Sequence, residues 1–295
     1  IKLKILVTGA SGFIGDYVVK YLCDNTDHEI YILSRDTDKL VDKPWYSRVN
    51  LIKGDIRTNK TDWFKFLEKP DKLIHLAWDG LPNYNQSFHL TENLINDFNF
   101  LSNLIKNGLT DITITGTCFE YGMLEGELFE NMPTNPTNYY ALAKDTLRKM
   151  LELFQSKNDF NLKWVRLFYM YGSGQNPNSI IPQLEKALNS SEQVFNMSGG
   201  EQIRDYLHVK EVANNIVEIA LQSKISGILN NCSGSPIKLI DLVKGYLEQR
   251  NLNINLNLGY YPYSRSEPMA FWGNTQKLNQ IKSNVKSKQI SNFTK

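Results

Sequence analysis

The chain has 295 residues, of which 41% are hydrophobic and 22% charged, so it can bury a large core. Lysine and arginine total 33 against 31 aspartates and glutamates, which excludes a global basic field that would draw the protein to nucleic acid or to an anionic membrane. Cys23, Cys118 and Cys232 lie far apart, without the spacing of a metal site or the density of a disulfide scaffold. This usage predicts a cytoplasmic protein without a metal centre. No apolar run approaches the ~20 residues of a membrane span.

Short β-branched segments alternate with helical patterns along the chain, which predicts βαβ units and a Rossmann-type, doubly wound parallel sheet of the α/β class. The apolar segments lack strict alternation because helices cover both faces of such a sheet. The predicted strands are LKILVTG, HEIYILSR, VNLIKGD, DKLIHLA, TDITITG, LKWVRLF and ILNNCSG, and the predicted helices are Gly12–Cys23, Ser87–Asn107, Tyr139–Ser156, Val209–Gln222 and Leu239–Gln249.

The domain organisation follows from a change in composition. Residues 172–202 and the tail 233–295 are less periodic and richer in Pro, Asn, Gly and Tyr. They are predicted to form a smaller C-terminal lobe that binds the substrate over the carboxyl edge of the sheet, where open α/β sheets bind ligands. Residues 1–171 and 203–232 are predicted to form the dinucleotide-binding domain.

The glycine loop KILVTGASGFIG follows the first strand and opens the first helix. Gly9, Gly12 and Gly15 let the backbone turn tightly and approach a pyrophosphate at a helix N-terminus. A dinucleotide site is therefore predicted here. Its expected residues are Gly9, Ser11, Gly12, Phe13, Ile14, Gly15, Ser34, Arg35, Asp55, Ile56, Leu76, Ala77 and Lys144.

The end of the second strand decides between the two nicotinamide cofactors. A carboxylate there would bind a ribose 2′-hydroxyl, but the strand ends in Ser34 and Arg35. Arg35 can pair with a 2′-phosphate, which predicts NADP; alternatively it is a solvated arginine with which Asp36 competes. Asp55 suits a contact with the adenine edge of the cofactor, although an ordinary role as a turn residue fits nearly as well.

Tyr140 and Lys144 lie four residues apart in a helical stretch, so both side chains leave the same face. We expect the ammonium group to lower the pKa of Tyr140 and make it a usable proton donor or acceptor. A second match to this spacing, Tyr206 and Lys210, is interpreted as a packed aromatic residue entering a helix. Position favours the first pair, because Thr117 ends the preceding strand in the nucleotide crevice.

The chain resembles the extended short-chain dehydrogenase/reductases, in particular the nucleotide-sugar epimerase, dehydratase and reductase family. Matching segments, in order, include GASGFIG, GDI, IHLAW, TGTCFEYG, YALAK, VRLFYMYGSGQ, IIPQL and GGEQIRDYLHV. The resemblance implies that Thr117, Tyr140 and Lys144 are catalytic and that Arg204 and Arg265 bind a substrate diphosphate. It also implies a homodimer formed through the helices Ser87–Asn107 and Tyr139–Ser156. Other residues expected to contact the sugar are Trp78, Cys118, Phe119 and Tyr169.

Departures from the family pattern narrow the expected reaction. Family dehydratases carry Asp and Glu where this chain has Cys118 and Phe119, and family 3,5-epimerising enzymes carry His where Ser179 stands. With Arg35, these departures favour an NADPH-dependent reductase of the 4-keto group of a nucleotide-linked 6-deoxy sugar, for surface polysaccharide biosynthesis. The alternatives are a 4-epimerase with tightly bound NAD and a non-enzymatic sensor of NADP. Among other candidates, His75 is expected to be a satisfied core residue, and His89 lacks a metal partner at useful spacing.

Overall fold

The computed structural model describes residues 2–282 and contains a large central sheet with three small ones. The strands are β1 (Lys4–Thr8), β2 (Glu29–Ser34), β3 (Asn50–Lys53), β4 (Lys72–His75), β5 (Asp111–Thr117), β6 (Gly126–Leu128), β7 (Asn161–Leu167), β8 (Tyr169–Tyr171), β9 (Val194–Asn196), β10 (Ile203–His208), β11 (Gly227–Asn231), β12 (Pro236–Lys238), β13 (Asn255–Asn257) and β14 (Phe271–Gly273). The helices are α1 (Phe13–Asn25), α2 (Trp63–Phe66), α3 (Leu94–Lys106), α4 (Tyr139–Gln155), α5 (Ile180–Asn189), α6 (Val209–Leu221) and α7 (Leu239–Gln249).

The central sheet has seven strands in the order β11-β7-β5-β4-β1-β2-β3. Every neighbouring pair is parallel. All seven segments predicted as strands lie in this sheet, and the Rossmann-type fold is confirmed. The winding reverses between β1 and β4, so a crevice opens where the carboxyl ends of these two strands meet.

Helices cover both faces of the sheet, as the uninterrupted apolar strands predict. One apolar cluster combines β1, β2 and β4 with α1 and α6. The opposite cluster combines β1, β4, β5 and β7 with α3 and α4. These two layers hold the strand ends rigidly and so fix the side chains that project from them.

The five predicted helices are present. In four of them, each end lies within two residues of the prediction, and the exception is α3. The segment predicted as Ser87–Asn107 begins with a π-helical turn, His89–Asn93, before α3. Sequence periodicity missed α2, which is one turn long, and α5, which carries Pro182 in its first turn, where proline is tolerated. No helix among residues 2–282 is long and apolar enough to cross a membrane.

A separate apolar cluster joins α5, α7, β9 and β13, all of them in the segments predicted to form the smaller lobe. The division of the chain into a dinucleotide-binding domain and a substrate-binding lobe stays a prediction. Residues 283–295, which were included in the predicted lobe, lie outside the described residues.

Candidate active site

The crevice at the carboxyl ends of β1 and β4 contains a cleft of about 430 Å³. It brings together most of the residues predicted to bind a cofactor, together with Trp78, which was predicted to contact the sugar. Phe13, Ile14, Gly15 and Lys144 are not part of its lining. The predicted residues that line it are Gly9, Ser11, Gly12, Ser34, Arg35, Asp55, Ile56, Leu76, Ala77 and Trp78.

The glycine loop packs so closely against neighbouring backbone that it leaves no room for side chains at Gly9 and Gly15. Gly9 has φ of +76°, and a Cβ there would lie 2.7 Å from the Ala77 nitrogen. A Cβ on Gly15 would lie 2.1 Å from the Gly9 oxygen. Gly12 caps α1 without a side-chain hydrogen bond, so amide groups of the first turn remain for an anion such as a pyrophosphate.

Next to the end of β2, the cleft contains an ion pair that sequence reasoning did not foresee. Arg35 Nη1 and Nη2 each donate to the carboxylate of Asp79, at 2.8 Å. The expected competitor, Asp36, pairs instead with Lys39 at 3.5 Å. Arg35 is thus held at the cleft, but by a carboxylate from the loop after β4.

Asp55 also lies in the cleft, where its carboxylate accepts hydrogen bonds from Arg57 Nε, at 3.0 Å, and from Arg57 Nη2. These bonds hold the pKa of Asp55 below its usual value. Asp55 is therefore ionised and able to accept hydrogen bonds at neutral pH.

Thr117 is the last residue of β5 and the N-cap of a 3₁₀ turn, Cys118–Tyr121. Its hydroxyl accepts a hydrogen bond from the Phe119 amide at 3.3 Å, while its own amide donates to the Glu120 carboxylate at 2.9 Å. This reciprocal capping box fixes the turn and does not use the hydroxyl proton of Thr117.

Tyr140 lies in the first turn of α4, and its amide donates to the Tyr84 carbonyl at 3.0 Å. Burial raises the pKa of its phenol far above the usual value, and a hydrogen bond with the Thr117 side chain acts in the opposite direction. The expectation that Lys144 lowers this pKa is therefore wrong for this structure, because desolvation dominates. Tyr140 is a protonated phenol at neutral pH.

Lys144 lies one turn further along α4 and is almost completely buried. Its ammonium group sits 4.0 Å from the centre of the Trp78 ring. Burial lowers the pKa of Lys144 to about 8, although Asp97 and Glu120 favour the charged form. Lys144 thus stays predominantly protonated at neutral pH.

Trp78 is held by His89, a residue for which the sequence offered no role. The indole Nε1 donates to His89 Nδ1 at 3.1 Å, and His89 Nε2 lies 3.0 Å from the Asn83 carbonyl. His89 is fully buried, and burial lowers its pKa, so the imidazole is neutral and bridges the two groups. Tyr140 packs against both rings, at 6.0 Å from Trp78 and 5.5 Å from His89.

In the three-stranded sheet, Tyr169 on β8 and Arg204 on β10 meet at Glu267, which sequence reasoning missed; none of the three lines the cleft. Tyr169 donates from its hydroxyl to Glu267 at 2.5 Å, and Arg204 Nη2 lies 3.1 Å from the same oxygen. Phe119 packs near Tyr169, with ring centres 6.1 Å apart. Arg265, two residues before Glu267, is exposed to solvent.

Cys118 is a buried thiol beside this group, and burial raises its pKa well above the usual value. The thiol is therefore neutral at neutral pH and poorly suited to act as a nucleophile.

The structure differs from the prediction at Tyr206 and agrees with it at His75. Tyr206 lies within β10 and not at the start of a helix, so Tyr206 and Lys210 do not share a helical face. His75 is a satisfied core residue, as expected: its Nδ1 lies 2.8 Å from the Thr8 hydroxyl, and its Nε2 lies 2.5 Å from Asp97.

Comparison with known proteins agrees with this geometry. The model of the NAD dependent epimerase/dehydratase family matches residues 5–230. The chain belongs to the NAD-dependent epimerase/dehydratase family. It is therefore a member of an enzyme family that uses a nicotinamide dinucleotide, as the cleft and the glycine loop indicate.

Relatives of this epimerase/dehydratase family member include two 4-dehydrogenases from Aggregatibacter actinomycetemcomitans. The chain is 33% identical to dTDP-6-deoxy-L-talose 4-dehydrogenase (NAD(+)) over 276 residues, covering 92% of this chain and 99% of that protein. It is 25% identical to GDP-6-deoxy-D-talose 4-dehydrogenase over 240 residues, covering 79% and 75%. The solved UDP-N-acetylglucosamine 4-epimerase from Methanobrevibacter ruminantium, in complex with UDP-N-acetylmuramic acid, shares the fold, with a TM-score of 0.83, 22% identity and coverage of 95% and 92%. The homologues are thus nucleotide-sugar dehydrogenases and epimerases.

Proposed function

We propose that this enzyme reduces the 4-keto group of a nucleotide-diphosphate-linked 6-deoxy sugar, with NADPH as the hydride donor. The observation that carries the proposal is the convergence of Thr117, Tyr140 and Lys144 beside the dinucleotide cleft. Thr117 ends β5, the other two residues lie on α4, and Trp78 joins the pair on α4 to the cleft.

Tyr140 can supply the proton that the reductive direction needs. When bound, the nicotinamide supplies the hydride that reaches carbon 4 of the sugar. The carbonyl oxygen then develops negative charge, and a protonated phenol can give it the proton that completes the alcohol. The Thr117 hydroxyl would stabilise the same oxygen, and the Lys144 ammonium would hold the nicotinamide ribose.

The substrate class rests on relatives and on charge. Two relatives are named for 6-deoxy-talose attached to different nucleotides, dTDP and GDP, and 4-dehydrogenation is the reverse of the proposed reduction. We propose that Arg204 and Arg265 bind the diphosphate, because the planar guanidinium group offers paired donors to phosphate oxygens. Glu267 would then exchange its bond with Arg204 for other partners. The lobe predicted from residues 172–202 and 233–295 would hold the nucleotide.

The test compares turnover by the wild-type protein with turnover by two variants that each lose one tyrosine hydroxyl. NADPH oxidation is followed with several nucleotide-linked 4-keto-6-deoxy sugars. Tyr140→Phe should abolish turnover while retaining NADPH affinity, since only the proton donor is lost. Tyr139→Phe, which removes a hydroxyl from the exposed neighbouring residue, should behave as wild type. Turnover that persists in Tyr140→Phe would contradict the mechanism.

A second candidate, a 4-epimerase with tightly bound NAD, is favoured by one observation. Asp79 occupies both outer nitrogens of Arg35, the group expected to bind a 2′-phosphate. An epimerase should purify with nicotinamide that survives dialysis and should interconvert sugars without added cofactor. The reductase should do neither, so absorbance and mass spectra of the purified protein separate the two.

We also propose that the enzyme is a homodimer that pairs through α3 and α4. These helices expose apolar side chains, Ile95 on α3 and Leu142 and Leu153 on α4. Light scattering should give twice the chain mass of 34.0 kDa. Leu142→Glu should yield monomers, and a monomeric wild type would refute the proposal.

A further inference from the structure

The buried carboxylate of Glu120 has no place in the proposed chemistry, yet it touches the catalytic turn. It is fully buried, accepts a hydrogen bond from the Thr117 amide and does not line the cleft. Burying a charge is costly unless it is paired and hydrogen-bonded, so its surroundings indicate what it does.

Every polar neighbour of this carboxylate is a donor. Oε1 accepts from the Thr117 amide and from Trp164 Nε1, both at 2.9 Å. Oε2 accepts from Arg166 Nε at 2.7 Å, and Arg148 Nε lies 3.8 Å away. Trp164 Nε1 also lies 3.2 Å from Oε2. The carboxylate therefore joins two strands: Oε1 accepts from the Thr117 amide at the end of β5, and both oxygens contact side chains of β7.

Strand β5 passes very close to the Glu120 carboxylate at Gly116. A Cβ on Gly116 would lie 2.2 Å from Trp164 Nε1 and 2.4 Å from Glu120 Oε1. Only glycine lets β5 pass this close to the bond between the indole and the carboxylate. The close contact therefore requires glycine at the position directly before Thr117.

We propose that Glu120 is a positioning residue that fixes the backbone of Thr117 from beneath, so that the Thr117 hydroxyl is directed at Tyr140 and at the substrate oxygen. The proposal rests on the proposed function for its kinetic consequence. Its structural consequence, an ordered Thr117 amide, does not depend on the identity of the substrate.

The substitution Glu120→Gln tests the proposal because glutamine has a single acceptor oxygen. Its NH₂ group must face either Thr117 and Trp164 or Arg166, all of which are donors. Glu130→Gln is the matched control, since Glu130 is also buried and accepts from the Asn230 amide at 3.0 Å without touching Thr117.

Hydrogen exchange at the Thr117 amide gives the readout that needs no turnover. We expect exchange at least about tenfold faster in Glu120→Gln than in wild type and Glu130→Gln, because one glutamine oxygen cannot accept from the donors on both sides and therefore holds the Thr117 amide less firmly. In kinetics, kcat should fall by about 10- to 100-fold with unchanged KM, since small misplacements of a catalytic group act on the transition state.

A double-mutant cycle shows whether Glu120 acts through Thr117. In a Thr117→Ala background, Glu120→Gln should change kcat by less than about threefold, because the group that it positions is already absent. If Glu120→Gln does not fold, Glu120→Asp keeps two acceptors but is one methylene shorter. It should show the same faster exchange and a smaller fall in kcat.

The outcomes separate the two proposals. Unchanged Thr117 exchange in a folded Glu120 variant, or full additivity with Thr117→Ala, would overturn the role of Glu120. If the wild type turns over no nucleotide 4-keto sugar, the proposed function fails, and the exchange experiment still decides the positioning role.

Discussion

The ion pair between Arg35 and Asp79 yields a quantitative prediction about cofactor choice. Both side chains are about half exposed, at 50% and 48%, and exposed pairs are worth about 0.2–1 kcal/mol. A 2′-phosphate that binds Arg35 must loosen this pair. Asp79→Asn should therefore strengthen NADPH binding by about 1.4- to 5-fold and leave NADH binding unchanged, if Arg35 is the phosphate ligand.

The complementary substitution, Arg35→Leu, removes the ligand itself. Hydrogen bonds to charged groups contribute about 1.5–3 kcal/mol, so NADPH should bind about 10- to 160-fold more weakly. The affinity for NADH should change little. Arg48→Leu serves as the control for net charge, since Arg48 pairs with Asp24 outside the cleft.

The assay is a fluorescence titration of each variant with NADPH and with NADH at one fixed ionic strength, because salt screens exposed charges. The reasoning is refuted if Arg35→Leu weakens both cofactors equally or neither. It is also refuted if Asp79→Asn weakens NADPH, which would make Asp79 part of the cofactor site.

Three further predictions concern the pH profile, the glycine loop and the thiol. Lys144 is charged below its pKa of about 8, so kcat/KM should fall as the pH rises through about 8, and an alkaline limb above pH 10 would contradict the assignment. Gly15→Ala should lower the free energy of unfolding in urea by about 1–3 kcal/mol, because the added Cβ meets the Gly9 backbone. Gly245→Ala, where a Cβ has nothing within 4 Å, should leave the free energy of unfolding unchanged or raise it. Equal effects of the two substitutions would contradict the packing argument. Because burial raises the pKa of Cys118, iodoacetamide should alkylate it far more slowly in the native protein than in urea, and rapid native labelling seen by mass spectrometry would exclude a buried thiol.

The sheet could be predicted from sequence because its strands are local apolar runs bounded by turns. The same holds for the position of Tyr140 and Lys144 on one helix, α4, where their spacing places them one turn apart. These features depend on neighbours within a few residues. Short elements such as α2, which is only one turn long, contain too few residues for a repeating helical pattern to be recognised.

The parts that were missed depend on contacts between distant segments. Asp79 reaches Arg35 across 44 residues, and Glu267 reaches Tyr169 across 98. The pKa of Tyr140 was predicted in the wrong direction because sequence spacing reveals the nearby ammonium group but not the burial of the phenol. Glu120 offered a weak signal, since its position three residues after Thr117 is that of a capping box.

The most direct test of the proposed function is the fate of the hydride. The wild-type enzyme is given NADPH deuterated at the reactive carbon of the nicotinamide, together with a nucleotide-linked 4-keto-6-deoxy sugar. The proposed reduction predicts one deuterium at carbon 4 of the product, detected by NMR, with equimolar formation of NADP⁺. Product without deuterium, or sugar conversion without loss of NADPH, would contradict it.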